Sequence, residues 1–209
     1  MVLESGKIIN SMKSNIFPIV GDASFRSFYR LVINKKTKII VLAKKEKYKN
    51  LLAYLAVNKF LRKNKILAPK LFAQDYDRNI IVIEDFGNLS LYKILLRQKK
   101  RFATYKKIIN LLLKIQKIKP KTKIEIIKNK KYYLKKYSSK YLNEESDLFF
   151  DWYLPLFIRK DKVKKIKKKA KIILSQLYKK LYFPNNCFVH RDYHAQNLMK
   201  IGKKIGLID

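Results

Sequence analysis

The sequence predicts an α+β chain in two parts, an antiparallel sheet carrying one helix followed by a mainly helical region. Three observations predict it. Short β-like runs bounded by turn-forming residues dominate residues 16–85, and the apolar spacing changes to three and four after Asp85-Phe86-Gly87-Asn88. The chain has 209 residues, of which 48% are apolar, enough to bury a core despite a formal charge of +35. The bridge at residues 84–88 is the expected boundary, giving an N-terminal part over 1–85 and a C-terminal part over 86–209.

The elements follow in order. Strands are expected over 16–20, 28–33 and 38–43, separated by Gly21-Asp22 and Asn34-Lys35. A helix over 48–63 carries Leu51, Leu52, Leu55, Phe60 and Leu61 as an apolar stripe and stops before Pro69. Two more strands, 70–75 and 79–84, flank Asp77-Arg78-Asn79 and complete the sheet. Helices are then expected over 89–97 and 102–118, the second ended by Pro120. Residues 124–142 are rich in Lys and Tyr with weak periodicity and receive no assignment. A helix over 144–154 puts Leu148, Phe149 and Trp152 on one side and stops at Pro155. A basic helix over 162–182 repeats Val163, Ile166, Ala170, Ile173 and Leu177 at helical spacing and closes at Pro184-Asn185-Asn186. Strands over 197–201 and 205–208, joined by Gly202-Lys203-Lys204, make a hairpin.

Composition narrows the classes. Cys187 stands alone, which excludes an internal disulfide and suits a reducing compartment, so a cytoplasmic protein is expected. No apolar run approaches the ~18 residues of a spanning helix, and the first residues lack the apolar core and cleavage site of a signal peptide. The 50 Lys and Arg outweigh 15 Asp and Glu. They accompany many Ile, Asn, Tyr and Phe, residues with A- and T-rich codons, so a biased genome accounts for the charge as well as anion binding does. Lys is spread almost evenly, with only 160–171 dense enough to count as a patch. The expectation is a monomer with no specific nucleic-acid partner and no membrane span.

The chemistry concentrates in His190-Arg191-Asp192-Tyr193-His194-Ala195-Gln196-Asn197 and the terminal Asp209. Phosphoryl transfer from a nucleotide needs a carboxylate to orient the acceptor hydroxyl and take its proton. It also needs an amide oxygen and a second carboxylate to hold Mg²⁺ on the phosphates. Asp192 leads Asn197 by five residues, and Asp209 lies twelve further on, beyond a hairpin that can return it. This is the kinase catalytic-loop pattern H-R-D-x-x-x-x-N with the metal Asp downstream.

The form Asp192-x-His194-x-x-Asn197 resembles the aminoglycoside phosphotransferase and choline kinase-like family. Three further segments resemble its bacterial kinases of N-acetylmuramate and N-acetylglucosamine: Gly21-Asp22-Ala23-Ser24-Phe25-Arg26-Ser27-Phe28-Tyr29-Arg30, Glu84-Asp85-Phe86-Gly87 and Leu148-Phe149-Phe150-Asp151-Trp152-Tyr153-Leu154. The resemblance implies a two-lobed protein-kinase-like fold, ATP and Mg²⁺ as cofactors, and an amino sugar as acceptor. It implies that Asp192 is the catalytic base and that Asn197 and Asp209 bind the metal. Gly21, Ala23, Ser24 and Phe25 would form the turn over the ATP phosphates, Lys44 or its neighbour Lys45 would steady them, and Glu84 and Phe86 would flank adenine. Asp147, Asp151, Trp152 and His194 would line the acceptor pocket, unless the first three simply belong to a core helix. Two departures stand out. The helix over 48–63 offers no acid to pair with the lysine, Glu46 lying just before it. The family also continues with further helices where this chain stops, so the C-terminal lobe is expected to be incomplete and turnover slight or nil. The alternatives are an inactive kinase-like fragment, a basic protein for nucleic acid or anionic surfaces, and, within the family, choline, an aminoglycoside or another small alcohol as acceptor. Glu144, Glu145, Asp147 and Asp151 are few acids for caging a cation, which favours a neutral or anionic sugar.

Overall fold

The structure, a computed structural model, describes residues 14–19, 26–43, 48–121, 123–127, 130–134 and 136–208. The backbone divides into two compact units, Met1–Tyr133 together with Phe188–Asp209, and Leu134–Cys187.

The first unit is built on a five-stranded antiparallel sheet in the order β1-β2-β3-β5-β4, with β1 Ser14–Ile19, β2 Arg26–Ile33, β3 Lys36–Ala43, β4 Leu71–Asp75 and β5 Ile80–Glu84. Pro18, which cannot donate to a ladder, sits on the edge strand β1. Asn34 and Lys35 both take left-handed backbone angles, with φ of 49° and 63°, the geometry of a two-residue turn whose twist matches its strands. Asn tolerates this better than Lys does.

Helix α1, Tyr48–Lys63, covers one face of the sheet. Its Leu51 and Leu55 are buried against Ile39, Val41 and Ala43 of β3 and Ile81 and Ile83 of β5. The helix ends in a Schellman motif. The Ile66 N–H donates to the Leu61 carbonyl and the Lys65 N–H to the Arg62 carbonyl, each at 3.0 Å. Leu61 and Ile66, the apolar pair that accompanies this motif, are both 3% exposed. Lys65 holds the left-handed position with φ of 60°, where Gly is usual.

After β5 come α2, Leu91–Arg97, and α3, Phe102–Gln116. The Ser90 hydroxyl caps α2 by accepting from the Lys93 N–H at 3.3 Å. The stretch without assignment contains a hairpin, β6 Lys123–Ile127 and β7 Lys130–Tyr133. Ile124 is buried, and Ile126 packs on the sheet-and-helix core. Lys59 of α1 donates to the Ile126 carbonyl at 3.2 Å. Among the described side chains of β6, Ile124 and Ile126 are the apolar ones that pack inward, too few for a period of two to stand out. The last pair, β8 Leu198–Ile201 and β9 Lys204–Leu207, forms the expected hairpin around Gly202 and Lys203.

The second unit holds α4, Ser139–Leu148, a π-helical turn Phe149–Tyr153, a 3₁₀ turn Leu154–Leu156 and α5, Lys160–Lys179. The helix expected from 144 starts five residues earlier, at Ser139. The unit is tied at its neck, where the Tyr137 N–H donates to Asn185 Oδ1 at 2.7 Å and Asn185 Nδ2 donates back to the Tyr137 carbonyl at 3.2 Å. Val163 and Phe150 are buried, whereas Ile166, Ile173 and Leu177 of the expected apolar stripe are exposed.

Leu51 is fully buried at the centre of the α1–sheet packing. Leu51→Ala is expected to cost about 2–5 kcal/mol, read as a lower urea midpoint. Lys65→Gly is expected to act the other way and raise the melting temperature, because it removes a left-handed strain of roughly 1–2 kcal/mol at some cost in unfolded-state entropy.

Candidate functional site

The loop 188–197 has an inner and an outer side. Phe188 is buried and packs on Phe60 of α1 with ring centroids 5.4 Å apart. Tyr193 turns inward too, its hydroxyl donating to the Ile108 carbonyl of α3 at 2.7 Å, and burial pushes its phenol up to about 12. His190 meets the Tyr193 ring edge-on at 5.8 Å, so it braces the loop. Arg191 takes a left-handed backbone angle, φ 71°, the kind of locally costly conformation that persists only where surroundings enforce it. That reversal leaves Asp192 on the outer side, its side chain 66% exposed.

Around Asp192 the side chains interlock. Asn197 Nδ2 donates to Asp192 Oδ2 at 2.9 Å and to the Asp192 carbonyl at 3.1 Å. His194 Nε2 lies 3.3 Å from Asp192 Oδ1, and its Nδ1 lies 3.3 Å from the Gln196 N–H. The neutral tautomer protonated on Nε2 satisfies both contacts, donating to the carboxylate and accepting from the amide. The close approach of Asn197 Nδ2 to His194 Nε2, 3.2 Å, is then two donors converging on one carboxylate. With Nδ2 so engaged, no hydrogen bond to Asn197 Oδ1 is found among the described residues, and that oxygen is available to a hard cation. Among the described residues no group of three His, Cys, Asp or Glu could hold a metal. Asp209 lies outside the described residues; the Ile208 N–H donates to the Asn197 carbonyl at 3.0 Å.

Backbone hydrogen bonds set this loop and the hairpin after it against the chain on either side of β4 and β5. The Leu207 N–H donates to the Leu67 carbonyl at 2.8 Å, the Lys200 N–H to Leu89 at 2.9 Å and the Tyr92 N–H to Ala195 at 3.0 Å. Gly206 is needed for that approach, since a Cβ there would sit 2.6 Å from both the Phe86 ring and Ile201 Cδ1. Phe86 thus packs on the hairpin below Asn197. Glu84 Oε2 accepts from the Lys70 N–H at 3.0 Å, closing the β4–β5 end. Next to it, Arg30 of β2 grips Asp85 in a two-pronged pair at 2.5 and 3.0 Å, and Asp85 also accepts from the Gly87 N–H at 2.7 Å. Burial alone would raise the Asp85 carboxyl, but the Arg30 and Gly87 hydrogen bonds outweigh it and hold it below the usual carboxylate range.

Gly21, Ala23, Ser24, Phe25 and Lys44 lie outside the described residues. Asp147, Asp151 and Trp152 belong to the second unit. Asp151 accepts from Lys167 Nζ at 2.7 Å on both oxygens, and Asp147 accepts from Lys171 Nζ at 2.8 Å. The Lys171 hydrogen bond, followed by those of Lys167, holds the Asp147 carboxyl below its usual range despite some burial. Trp152 is 75% exposed. The two lysines come from α5, whose density of Lys gave no cue that these ones pair with acids. Arg30 and Tyr193 fall inside the motif segments but were given no role by sequence, and Gly206 was not singled out; for Gly206, a Gly interrupting a strand was the available signal.

The sequence profile of the phosphotransferase enzyme family APH matches residues 16–209. An N-acetylmuramate/N-acetylglucosamine kinase of Pseudomonas aeruginosa is 23% identical over 94% of this chain and 54% of its own length. The chain therefore spans about half the length of the curated relatives it matches. Among solved structures, the streptomycin–ATP ternary complex of APH(2″)-IIa aligns with a TM-score of 0.63 at 15% identity, covering 100% of this chain and 71% of that one. The choline kinase LicA from Streptococcus pneumoniae aligns at 0.56 and 16% identity, covering 93% and 62%. The fold is that of these kinases.

The Arg30–Asp85 pair makes a pH prediction. A carboxyl lowered on folding adds stability that is present above its unfolded value of about 3.9 and is lost as pH falls through the lower folded value. The stability gap between the parent and Asp85→Asn is expected to stay constant down to about pH 5 and to narrow from there to about pH 2 in urea titrations, as the carboxyl protonates first in the unfolded and then in the folded chain. Arg30→Met at neutral pH, which strands the buried carboxylate, is expected to cost on the order of 3 kcal/mol.

Proposed function

The chain belongs to the phosphotransferase enzyme family, and on that premise we propose that it serves an ATP- and Mg²⁺-dependent kinase of a small molecule. The γ-phosphoryl group would pass to a hydroxyl of an amino sugar, N-acetylmuramate or N-acetylglucosamine, in the cytoplasm. The observation that carries this reading is the 2.9 Å contact of Asn197 with Asp192. It joins a carboxylate open to an acceptor with an amide oxygen open to a cation.

In this reading Asp192 orients the acceptor hydroxyl and takes its proton as the phosphorus–oxygen bond forms, while ADP leaves. His194 and Asn197 fix the carboxylate from two sides, so little reorientation is needed at the moment of reaction. Mg²⁺, held by Asn197 Oδ1 and Asp209, would neutralise phosphate charge. Gly21, Ala23, Ser24 and Phe25 would supply backbone N–H groups to the phosphates, Lys44 would steady them, and Glu84 and Phe86 would border adenine. Binding of ATP in a solved relative supports the nucleotide, and the curated relatives' names support the sugar.

Replacing Asp192 by Asn is expected to lower phosphoryl transfer by about 10²–10⁴-fold, the usual worth of a general base, with nucleotide affinity little changed. A coupled ADP-release assay with N-acetylmuramate, N-acetylglucosamine, choline and an aminoglycoside, run beside nucleotide titration calorimetry, checks both halves. Full activity of Asp192→Asn overturns the role of Asp192. Turnover of choline or the aminoglycoside but of neither sugar overturns the acceptor.

A further inference from the structure

A concave region of the first unit is lined by no residue of the loop that carries Asp192. It is a cleft of about 620 Å³ walled by six cations, Arg62, Lys65, Lys107, Lys114, Lys203 and Lys204. They come from the end of α1, from α3 and from the β8–β9 turn. The remaining lining is apolar, with Ile66, Leu67, Leu111 and Ile205, and it includes no acid. Six basic residues among ten is far denser than the 50 in 209 of the whole chain, so a background rich in lysine does not account for it.

Two of the six are held in place by uncharged groups. Arg62 Nη1 donates to the Ala68 carbonyl at 2.5 Å and Lys114 Nζ to the Lys65 carbonyl at 3.2 Å. Among the described residues, none of the six forms an ion pair with a carboxylate, although other basic residues of this chain do so: Arg30 with Asp85, and Lys167 and Lys171 with Asp147. Like charges gathered over a concave apolar floor repel one another and focus a positive potential into the space between them. A ligand that relieves this must carry several negative charges in a small volume. The volume is that of a small-molecule site, and Lys is a compact point-charge partner for phosphate oxygens.

We infer that this cleft is a binding site for a small polyphosphate, a ligand bearing two or three linked phosphate groups without need of a metal. The site is independent of the kinase reading. The β8–β9 hairpin carries Lys203 and Lys204 at its turn and leads back to Asn197 at its base, so a ligand at the turn sits on the same rigid hairpin as the loop.

Tripolyphosphate, with EDTA present to silence metal-dependent binding, is the probe. Titration calorimetry and thermal melting at about 0.1 M ionic strength are the measurements, with sulfate at matched ionic strength as control. Tripolyphosphate is expected to raise the melting temperature well beyond sulfate. The double variant Lys107→Glu/Lys203→Glu is expected to weaken its binding by at least about tenfold, to keep the response to MgATP, and to melt no lower than the parent because like-charge repulsion is relieved. Should that variant fail to fold, Lys107→Gln/Lys203→Gln is expected to show a smaller loss of the same sign. Equal shifts from sulfate and tripolyphosphate, or undiminished tripolyphosphate binding by the folded variant, overturn the site. Tighter binding of a single-stranded oligonucleotide that displaces tripolyphosphate overturns the ligand class in favour of nucleic acid.

Discussion

The close approach of the β8–β9 hairpin to the chain leaving the sheet is the constraint on which the candidate site depends. Asp192 and Asn197 are separated by a loop with no regular structure, and a free loop of that length would sample many arrangements. Three backbone hydrogen bonds, one accepted by Ala195 of the loop and two donated by Lys200 and Leu207 of the hairpin that follows, set the Asn197 end against residues 67–92. Phe86 lying on the bare backbone of Gly206 fills the space between them. A side chain at 206 would push the hairpin out, and the partners of Asn197 with it.

The loop is also held from within. Tyr193 and Phe188 spend their bulk on α3 and α1, and the left-handed turn at Arg191 between them aims Asp192 outward. Anchors on one side and strain at one residue divide the labour. Apolar and aromatic groups determine where the loop lies, so the polar groups need only determine how the carboxylate points. His194 and Asn197 do that from two directions. The same division recurs at the sheet's exit, where a buried Arg30–Asp85 pair fixes the strand end beside Phe86.

Local patterns carried most of the fold into view. Helix α1 begins and ends where its leucine stripe and the downstream Pro69 place it, and the final hairpin forms around Gly202 as its turn residues require. The proximity of Asp192 and Asn197 follows from a spacing of five. What stayed hidden depends on residues far apart in sequence. Arg30 and Asp85 are 55 positions apart and Tyr193 and Ile108 are 85 apart, and nothing in either local context marks the partner. The β6–β7 hairpin was hidden for a different reason. Its strands are short, lysine-rich and stabilised by packing on α1 more than by their own propensity. Lys167 and Lys171 show the converse, since in a helix where nine of twenty residues are Lys the ones that pair with acids are indistinguishable from background. The six cations of the basic cleft likewise come from separate segments and never formed a run.

The exposed stretch in the second unit governs how the chain behaves in solution. Leu148, Phe149, Trp152, Tyr153, Leu156 and Phe157, within ten consecutive residues, are each at least 47% exposed. Molecules carrying such a surface would adhere to one another were it not for a charge of +35 holding them apart. Raising ionic strength shortens the reach of that repulsion to a few ångströms while leaving the aromatic surface as sticky as before. Added salt, which ordinarily helps keep a basic protein from clinging to other molecules, would therefore drive this one to associate with itself, and dilute buffer would keep it dispersed.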